Sequence, residues 1–435
     1  MSGPATASAA AADGFLRHVI SRVRPSKVQL QGAGYAISQA LMSLLAAVST
    51  VLVARALSAG AFGVQSFAVS FMAFTGMFFD FGLSVPAARL VARSSSERER
   101  QQTLGASLLA FVPVGLLYSA VVFGLSFYVD RWFRVNAGYA VRLVSAIAFV
   151  YPLGYLANYL AKGSGRLHVY SVTASASQFL YVASLIVAIT FHVHLTASLV
   201  LLLRLGSMLV SLAVLVVWLS PEFRGAISRI RLIVRDARRF GIQMYLGNVL
   251  SMATYSMDVL MLGALTNART VGYYSLAGSA AYLVGLPVIG LSAALFRRMA
   301  FEDRIDRRWL AFGWATGLLC AVAVSAIAYP LLPRILSSRY SGAIGLIPPL
   351  ALAAVVQGVT TIYNTYLAAQ AKGKELRNAA LILTLSNVVF NLALIPPFGA
   401  MGAAWASLAA LVVNLFAHIV FYRRYLGARD RLAAT

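Results

Sequence analysis

Cysteine is nearly absent from this sequence and acidic residues are few, and each scarcity excludes a class of function. The single cysteine, Cys320, lies inside an apolar run, which excludes disulfide bridges and thiolate metal sites. No Gly-rich loop ends in Lys followed by Ser or Thr, so ATP hydrolysis at a phosphate-binding loop is excluded. No loop is long enough to hold a catalytic domain. We therefore expect no enzyme, no resident cofactor and no metal site in this chain.

Charged residues are also scarce, at 11% against 60% hydrophobic residues, and the mean hydropathy is +0.79. A soluble domain carries about 25% charged residues, so lipid must be the solvent for most of this chain. The net charge of +23 is divided into short clusters between apolar runs. Because nucleic-acid binding needs basic residues gathered on one water-facing surface, we expect no nucleic-acid partner.

The apolar runs have the length of membrane spans. A helix needs about 20 apolar residues to cross the hydrocarbon core, where every backbone group must be hydrogen-bonded internally. The runs cover residues 30–54, 62–86, 104–128, 138–161, 167–191, 195–219, 241–264, 270–296, 309–332, 343–369, 378–397 and 400–421. We therefore predict an all-α integral membrane protein with about 12 transmembrane helices.

The basic residues predict the orientation of these helices. Most of the 36 Lys and Arg residues fall in alternate loops and at both ends of the chain, and few fall in the loops between. Positive charge is enriched on the cytoplasmic side of membrane proteins. The sequence therefore predicts that both termini lie in the cytoplasm.

The chain divides at its basic segments into five parts. We predict a cytoplasmic N-terminal segment with an amphipathic basic helix (1–29), an N-lobe (30–219), a basic linker (220–240), a C-lobe (241–421) and a cytoplasmic tail (422–435). In the linker, Phe223, Ile227 and Ile230 recur at helical spacing with arginines between them. This pattern is typical of an interfacial helix that binds anionic membrane lipids, and a solvated charged linker is the alternative.

Two short motifs recur six spans apart. The loop after the first span reads Gly63-Val-Gln-Ser-Phe-Ala68, and the loop after the seventh span reads Gly272-Tyr-Tyr-Ser-Leu-Ala277. This repetition indicates a duplicated six-helix lobe. Because six is an even number, both lobes have the same orientation in the membrane, with a central cavity between them. Transporters of this design rock their lobes to expose the cavity to alternate sides.

The same regions carry a family resemblance. Leu57-Ser-Ala-Gly-Ala-Phe-Gly63, Phe79-Asp-Phe-Gly-Leu-Ser84 and Asp258-Val-Leu-Met-Leu-Gly263 resemble motifs of the bacterial polysaccharide flippases. That family belongs to a superfamily that also contains multidrug exporters and peptidoglycan-precursor flippases. The resemblance implies a transporter of the bacterial inner membrane that moves a polyprenyl-diphosphate-linked oligosaccharide for surface polysaccharide synthesis. Polysaccharide polymerase or export proteins are the partners that it implies.

Charged residues inside spans are the first candidates for a binding site, because a charge at the bilayer centre is costly. Arg204 in span six and Asp258 in span seven lie at similar predicted depths. We expect both to face the cavity, where the planar guanidinium of Arg204 suits a diphosphate or an acidic sugar. Asp258 would pair with Arg204 or take up a coupling proton or sodium ion. A structural ion pair or a snorkelling arginine is the alternative reading.

Further candidates are weaker. Arg55 and Arg142, near outer span ends, would add positive charge to the mouth of the cavity or simply snorkel to the interface. Asp80 matches the family motif near the inner end of span two. The polar residues Gln357 and Asn364 would hydrogen-bond sugar hydroxyls, and hydrogen bonding between helices is the alternative for each.

Two other functions stay open. A cation-coupled multidrug exporter would need buried carboxylates, and only Asp80 and Asp258 lie in predicted spans. A membrane enzyme of polysaccharide assembly would need large water-facing loops, and the sequence contains none. Both arguments favour the flippase.

Overall fold

Helices make up almost all of the computed structural model, which describes residues 27–336 and 338–433. No strand occurs in these ranges. The predicted amphipathic helix of residues 1–29 lies mostly outside the described residues. The helices are α1 (Lys27–Ala56), α2 (Ala59–Met77), α3 (Ser84–Ala92), α4 (Glu97–Trp132), α5 (Gly138–Val144), α6 (Val150–Gly163), α7 (Leu167–Thr190), α8 (Ala197–Leu219), α9 (Ala226–Asp236), α10 (Ile242–Leu265), α11 (Ala268–Met299), α12 (Arg307–Leu336), α13 (Ser341–Ile344), α14 (Ile347–Ala369) and α15 (Gly373–Ala433).

Every predicted apolar run coincides with one of these helices or with a broken pair of them. By length and composition, 8 helices of the described ranges can cross a membrane, or up to 9 if the bent pair α5–α6 forms one span. Helix α15 has 61 residues and contains the non-helical Gly399, with φ of 55°, which divides it into two predicted spans. Helices α1 and α10 contain the remaining two runs. The predicted all-α membrane architecture is therefore confirmed.

Two predicted spans are interrupted. Helix α2 ends at Met77, and a 3₁₀ turn leads to Phe81 and Gly82, whose φ values are 46° and 71°. Because a left-handed backbone cannot continue an α-helix, residues 84–92 start a separate helix, α3. The fourth span bends by 47° between α5 and α6. Pro152 lies in the first turn of α6, where its missing N–H breaks no helical hydrogen bond.

The helices pack as two lobes. In the first half α1 packs on α7, α7 on α8, and α3 on α6, whereas in the second half α11 packs on α14, α14 on α15, and α10 on α15. Contacts between the halves are made chiefly by α2, which packs against α10 and α11, and by α1 against α11. The cavity described below lies between these helices.

The repeated glycines of the sequence meet where the lobes touch. A Cβ atom on Gly63 of α2 would lie 1.7 Å from the carbonyl oxygen of Ala268, and one on Gly272 of α11 would lie 2.1 Å from that of Ala59. Only glycine allows two helix backbones to approach this closely. The first turns of α2 and α11 therefore cross in direct backbone contact.

Two further contacts close the same end of the lobe interface. The amide of Arg134, in the loop after α4, donates to the carbonyl of Gly263 in α10 at 2.7 Å. The hydroxyl of Tyr340 donates to the carbonyl of Leu57 at 3.2 Å, and its ring packs edge-on against Phe62. This end is the one that the charge distribution predicts to face outward, so the lobes are closed on the predicted outer side.

The linker helix α9 is attached to the first lobe, where it packs on α3 and α4. Its Arg229 forms an ion pair with Glu99 at 3.2 Å and donates to Thr103 at 3.1 Å. Ile233 is buried, whereas Ile227 is 71% exposed. The contact of this arginine-rich helix with membrane lipid stays a prediction.

Candidate functional site

A cavity of about 450 Å³ lies between the lobes, at the level of Arg204 and Asp258. Six helices contribute to its wall: α1, α2, α7 and α8 from the first lobe, and α10 and α11 from the second. Hydroxyl and amide side chains dominate the polar part of the wall, which contains Ser43, Ser49, Thr50, Gln65, Ser66, Ser70, Tyr181, Tyr274, Ser275, Ser279 and Tyr282. Such groups can bind a strongly hydrated solute, because each of them can donate or accept hydrogen bonds.

Arg204 stands at the junction of two cavities. It lines the central cavity and also a pocket of about 230 Å³ inside the first lobe, between α1, α6, α7 and α8. The guanidinium lies 5.8 Å from the centre of the Tyr181 ring. Arg204 follows the well-capped start of α8, where the hydroxyl of Thr196 accepts from the amide of Leu199 at 3.2 Å. Arg204 therefore lines both the central cavity and the pocket inside the first lobe.

Asp258 is the centre of a hydrogen-bond cluster inside the second lobe. Its Oδ1 accepts from Nδ2 of Asn387 at 2.8 Å and from Nδ2 of Asn391 at 2.6 Å. Its Oδ2 accepts from the hydroxyls of Tyr274 and Ser407, each at 2.6 Å. Four neutral donors therefore occupy both oxygens of this carboxylate, which is an acceptor-only group when it is ionised.

The cluster depends on the turn between the two halves of α15. Asn387 and Asn391 lie one helical turn apart in the first half, and Ser407 lies in the second half. The turn at Gly399 brings these halves side by side, so that both reach Asp258 of α10. The Oδ1 atom of Asn391 is buried and has no hydrogen-bond partner. A buried acceptor without a partner is uncommon in folded proteins.

Arg204 and Asp258 line the same cavity, but no ion pair within 4 Å joins them in the described part of the chain. The acceptors of Asp258 are all occupied by neutral donors, and the guanidinium of Arg204 faces a tyrosine ring. The positive charge of Arg204 therefore faces the cavity without neutralisation by Asp258. The structural ion pair considered from the sequence does not form between these two residues.

The other predicted site residues lie away from this cavity. Arg55 is exposed at the end of α1. Arg142 covers the ring of Phe127 at 3.7 Å and donates to the hydroxyl of Ser126 at 3.2 Å. These contacts place Arg142 against α4 inside the first lobe.

Asp80, Gln357 and Asn364 are likewise absent from the described cavity wall. Asp80 accepts a hydrogen bond from the Ser84 hydroxyl across the break after α2. Asn364 lies 3.4 Å from the buried His418 inside the second lobe, and the Oε1 atom of Gln357 is buried without a partner. The structure therefore brings together only Arg204 and Asp258 among the seven predicted residues.

Tyr274 and Ser407 belong to the Asp258 cluster and were not expected from the sequence. Tyr274 lies within the repeated Gly272–Ala277 motif, so the internal repeat was a signal that could have identified it. Ser407 lies in an apolar run and is an ordinary residue for a membrane helix, and nothing in the sequence distinguishes it.

Comparisons with known proteins agree with this architecture. A family model described as "Polysaccharide biosynthesis protein" matches residues 30–296. No curated protein matches the chain. An inward-facing multidrug resistance transporter of the MATE family has a TM-score of 0.73 at 15% identity, with 90% of this chain and 96% of that chain covered.

Two other solved structures have the same fold. The lipid II flippase MurJ, in an inward closed conformation, gives a TM-score of 0.73 at 14% identity, with 89% of this chain and 87% of that chain covered. The MATE multidrug transporter DinF-BH gives a TM-score of 0.63 at 16% identity, with 92% of this chain and 96% of that chain covered. At these identities the likeness establishes the fold.

Proposed function

We propose, because this chain belongs to the polysaccharide biosynthesis protein family, that it is a flippase for polyprenyl-diphosphate-linked oligosaccharides. It acts in the bacterial inner membrane, with both termini in the cytoplasm, by alternating access. Its product would be used by polysaccharide polymerase or export proteins on the outer side. The observation that carries the proposal is the cavity between the lobes, in which Arg204 faces hydroxyl-bearing side chains.

The wall of the cavity fits the polar head of such a substrate. A diphosphate is a dianion or more at neutral pH, and a guanidinium binds phosphate oxygens through two parallel hydrogen bonds. The serine, threonine and glutamine side chains around it offer donors and acceptors for sugar hydroxyls. Such a cavity would allow the head group to cross the membrane without contact with hydrocarbon.

The alternative of a multidrug exporter for cationic compounds is less well supported. A bound organic cation needs a carboxylate that it can approach. Asp258 is the only carboxylate among the described residues of the central cavity wall, and four neutral donors surround its oxygens. A bulky cation would have to break this cluster, whereas an anionic head group binds Arg204 without disturbing it.

The Asp258 cluster fits a small coupling ion. Its side chains carry carboxylate, amide and hydroxyl oxygens, which are the ligands of hard cations. A sodium ion would turn the hydroxyls and the amide oxygens of Asn387 and Asn391 towards itself, and a proton would bind Asp258 directly. No group of three or more His, Cys, Asp or Glu residues that could hold a metal occurs in the described part of the chain, so a single carboxylate favours a monovalent ion.

Transport by proteoliposomes tests the role of Arg204. The assay measures the movement of a fluorescent polyprenyl-diphosphate oligosaccharide between leaflets for wild type, Arg204→Ala and Arg204→Lys. Loss of charge-assisted hydrogen bonds worth about 1.5–3 kcal/mol lowers the rate of Arg204→Ala by about tenfold or more. Arg204→Lys keeps the charge but loses the bidentate geometry, so we expect an intermediate rate.

Arg131→Ala is the matched control, because Arg131 is an exposed arginine at the end of α4 outside the cavity wall. It should transport at the wild-type rate. Equal rates for wild type and Arg204→Ala at equal protein levels would refute the proposed role of this cavity. Transport of cationic dyes without transport of the lipid-linked glycan would favour the multidrug exporter instead.

Ion gradients identify the coupling ion. We expect Asp258→Asn to abolish the acceleration of transport by an imposed gradient while it leaves the slow equilibration without a gradient. A sodium gradient at constant pH and a pH gradient without sodium distinguish the two ions. If Asp258→Asn responds to both gradients as wild type does, the coupling site lies elsewhere.

A further inference from the structure

A buried histidine lies in the second lobe, near the end that is predicted to face the cytoplasm. His418, in the second half of α15, is 3% exposed. Its Nδ1 lies 2.9 Å from the carbonyl oxygen of Asn414, and its Nε2 lies 3.4 Å from Nδ2 of Asn364 in α14. Because a carbonyl only accepts hydrogen bonds, Nδ1 carries the proton of the neutral ring. Nε2 keeps its lone pair, so it is a base inside the lobe.

Amide oxygens without partners are buried in the same lobe. The Oδ1 atom of Asn414 and the Oε1 atom of Gln357 have no hydrogen-bond partner in the described ranges, and Oδ1 of Asn391 in the Asp258 cluster has none either. Buried amide oxygens almost always have a partner in the protein or in ordered water. Polar interior positions of this kind are where buried water molecules bind.

Helical spacing connects His418 with the Asp258 cluster. Ser407, Asn414 and His418 are 7 and 4 residues apart, which puts them on one face of α15. Ser407 donates to Asp258 at 2.6 Å, so this row of side chains begins at the cluster. At 1.5 Å per residue, His418 lies about 16 Å from Ser407 along the helix. The row therefore leads from Asp258 towards the predicted cytoplasmic end of the span.

Helix α14 contributes the facing side of this row. Gln357 and Asn364 are 7 residues apart and share one face, and the contact of Asn364 with His418 shows that this face turns towards α15. Asn364 is exposed, and it lies five residues, or about 8 Å, before the end of α14 at Ala369. Its amide thus connects the buried imidazole with the protein surface. We call Gln357, Asn364, Asn414 and His418 the inner polar track.

The charges around His418 are few. In the described part of the chain, no charged group acts on its imidazole. Tyr422, one turn further along α15, packs against the rings of Tyr363 and Tyr366 of α14 at 5.5 and 5.3 Å. The other titratable or charged groups on the helices packed around it are Asp258 of α10, Tyr274 and Arg298 of α11, and Lys374, Glu375 and Arg377 in the first turn of α15.

We propose that the inner polar track carries the coupling proton from Asp258 to the cytoplasm, with His418 as its relay. This inference rests on the proposed flippase function and selects the proton as the coupling ion. Asp258 lines the central cavity, so it takes up a proton from water there when the cavity is open to the outer side. The inward movement of this proton then drives the glycan outward.

The proton passes through the track without a net change in the protein. The protonated carboxyl of Asp258 gives its proton to water in the track and becomes a carboxylate. Water beside His418 gives a proton to Nε2, and the imidazolium then releases that proton to cytoplasmic water at Asn364. Between Ser407 and Asn414 the track covers about 10 Å, which two or three water molecules span at about 2.8 Å per hydrogen bond.

The chemistry of the track favours a proton over sodium. A bare imidazole nitrogen binds and releases a proton directly, and His is the side chain whose charge changes most readily near neutral pH. A sodium ion needs several oxygen ligands at once, and the imidazole of His418 offers no oxygen. The alternative role of His418 is hydrogen bonding between α14 and α15, which would not depend on a proton gradient.

Proteoliposomes that contain the full chain and an entrapped pH dye test the proposal. A pH gradient is imposed at constant sodium, and both proton flux and transport of the fluorescent lipid-linked oligosaccharide are measured. His418→Gln keeps a hydrogen-bonding side chain but cannot relay a proton. We expect proton flux and gradient-driven transport to fall by at least about tenfold, while the slow equilibration without a gradient is unchanged.

Two further variants complete the test. Asn414→Leu removes the amide oxygen from the track at similar volume and leaves the backbone carbonyl to which His418 donates, so it should act in the same direction as His418→Gln. His194→Gln is the matched control, because His194 is an exposed histidine in the loop after α7. It should behave as wild type. The melting temperature in detergent shows which variants are folded, and Asn414→Leu decides the question if His418→Gln unfolds.

The outcomes separate this inference from the proposed function. Wild-type proton flux in His418→Gln would overturn the relay, and so would an equal loss of transport with and without a gradient, because His418 would then only join helices. Glycan transport that responds to sodium alone would overturn the track and keep the flippase. Proton flux that His418→Gln abolishes, in vesicles that move no glycan, would remove the flippase and keep the track.

Discussion

The contact between Gly63 and Ala268 predicts that one added methyl group disturbs the closure of the lobes at the end that is predicted to face outward. In Gly63→Ala the new Cβ would lie 1.7 Å from a carbonyl oxygen, whereas real Cβ atoms essentially never approach within 3.0 Å. The backbones of α2 and α11 must therefore separate by more than about 1 Å at their closest approach. Because both contacting atoms belong to helix backbones, no side-chain rotation can relieve the clash.

The expected magnitude follows from overpacking. Adding a methyl group to a packed interface costs about 1–3 kcal/mol, and a backbone clash belongs at the upper end of that range. If the clash exists only in the outward-closed state, the closed-to-open equilibrium changes by about 5–150-fold. We expect slower transport, because the cycle needs both states, and easier labelling of the cavity from the outer side.

Gly60→Ala is the matched control, since Gly60 lies in the same first turn of α2 and a Cβ there meets nothing within 4 Å. Alanine favours helix over glycine by up to about 1 kcal/mol, so this variant should be unchanged or slightly more stable. Transport in proteoliposomes and the melting temperature in detergent measure both effects. Wild-type transport and outer accessibility in Gly63→Ala would refute the role of this crossing as the outer closure.

Two further predictions concern the contacts that hold the second lobe and the outer end. Asp258→Leu leaves one N–H each of Asn387 and Asn391 without its acceptor, whereas the Ser407 hydroxyl can still donate to the carbonyl of Ala403. We expect a loss of about 1–3 kcal/mol, with Asp258→Asn affected less, as thermal unfolding in detergent would show; equal melting temperatures would contradict the hydrogen-bond cluster. Tyr340→Phe removes the hydroxyl that donates to the carbonyl of Leu57 but keeps the ring. We expect the closed state to lose about 0.5–1.5 kcal/mol of stability, with more frequent outward opening. Unchanged labelling of the cavity from outside would argue against this role.

On the proposed function, the path of the head group depends on where the lobes touch. The ends of α2 and α11 that are predicted to face outward are in backbone contact, and the cavity between the lobes has a polar wall. Outward opening of the cavity requires this contact to separate. The Asp258 cluster joins α10, α11 and both halves of α15, so an ion bound there would act on helices of the second lobe alone.

Much of the architecture could be predicted from the sequence, because lipid imposes a simple rule on the chain. Every predicted run coincides with a helix or a broken pair of helices, because backbone groups in hydrocarbon must bond within their own segment. The breaks inside the runs were less predictable. The positive φ of Phe81 arises at a residue that rarely adopts it, and no local pattern announces it.

The candidate site, like the fold, could be predicted from the sequence only in part. The cost of a buried charge singled out Arg204 and Asp258, and the structure places both in one cavity wall; their functions stay predictions. That cost gives no direction around the helix, so the sequence could not tell that Arg142 turns towards Phe127 while Arg204 turns towards the cavity.

The sequence by itself therefore determined which segments are helices in a membrane and which of their residues are too polar for lipid. Only the tertiary structure decided which of these residues meet. The Asp258 cluster joins this residue to side chains of α15 that lie 129 to 149 positions away, and the crossing of Gly63 with Ala268 joins helices from opposite lobes. Periodicity and composition describe one helix at a time, whereas a cavity is formed by the faces that several helices turn towards each other.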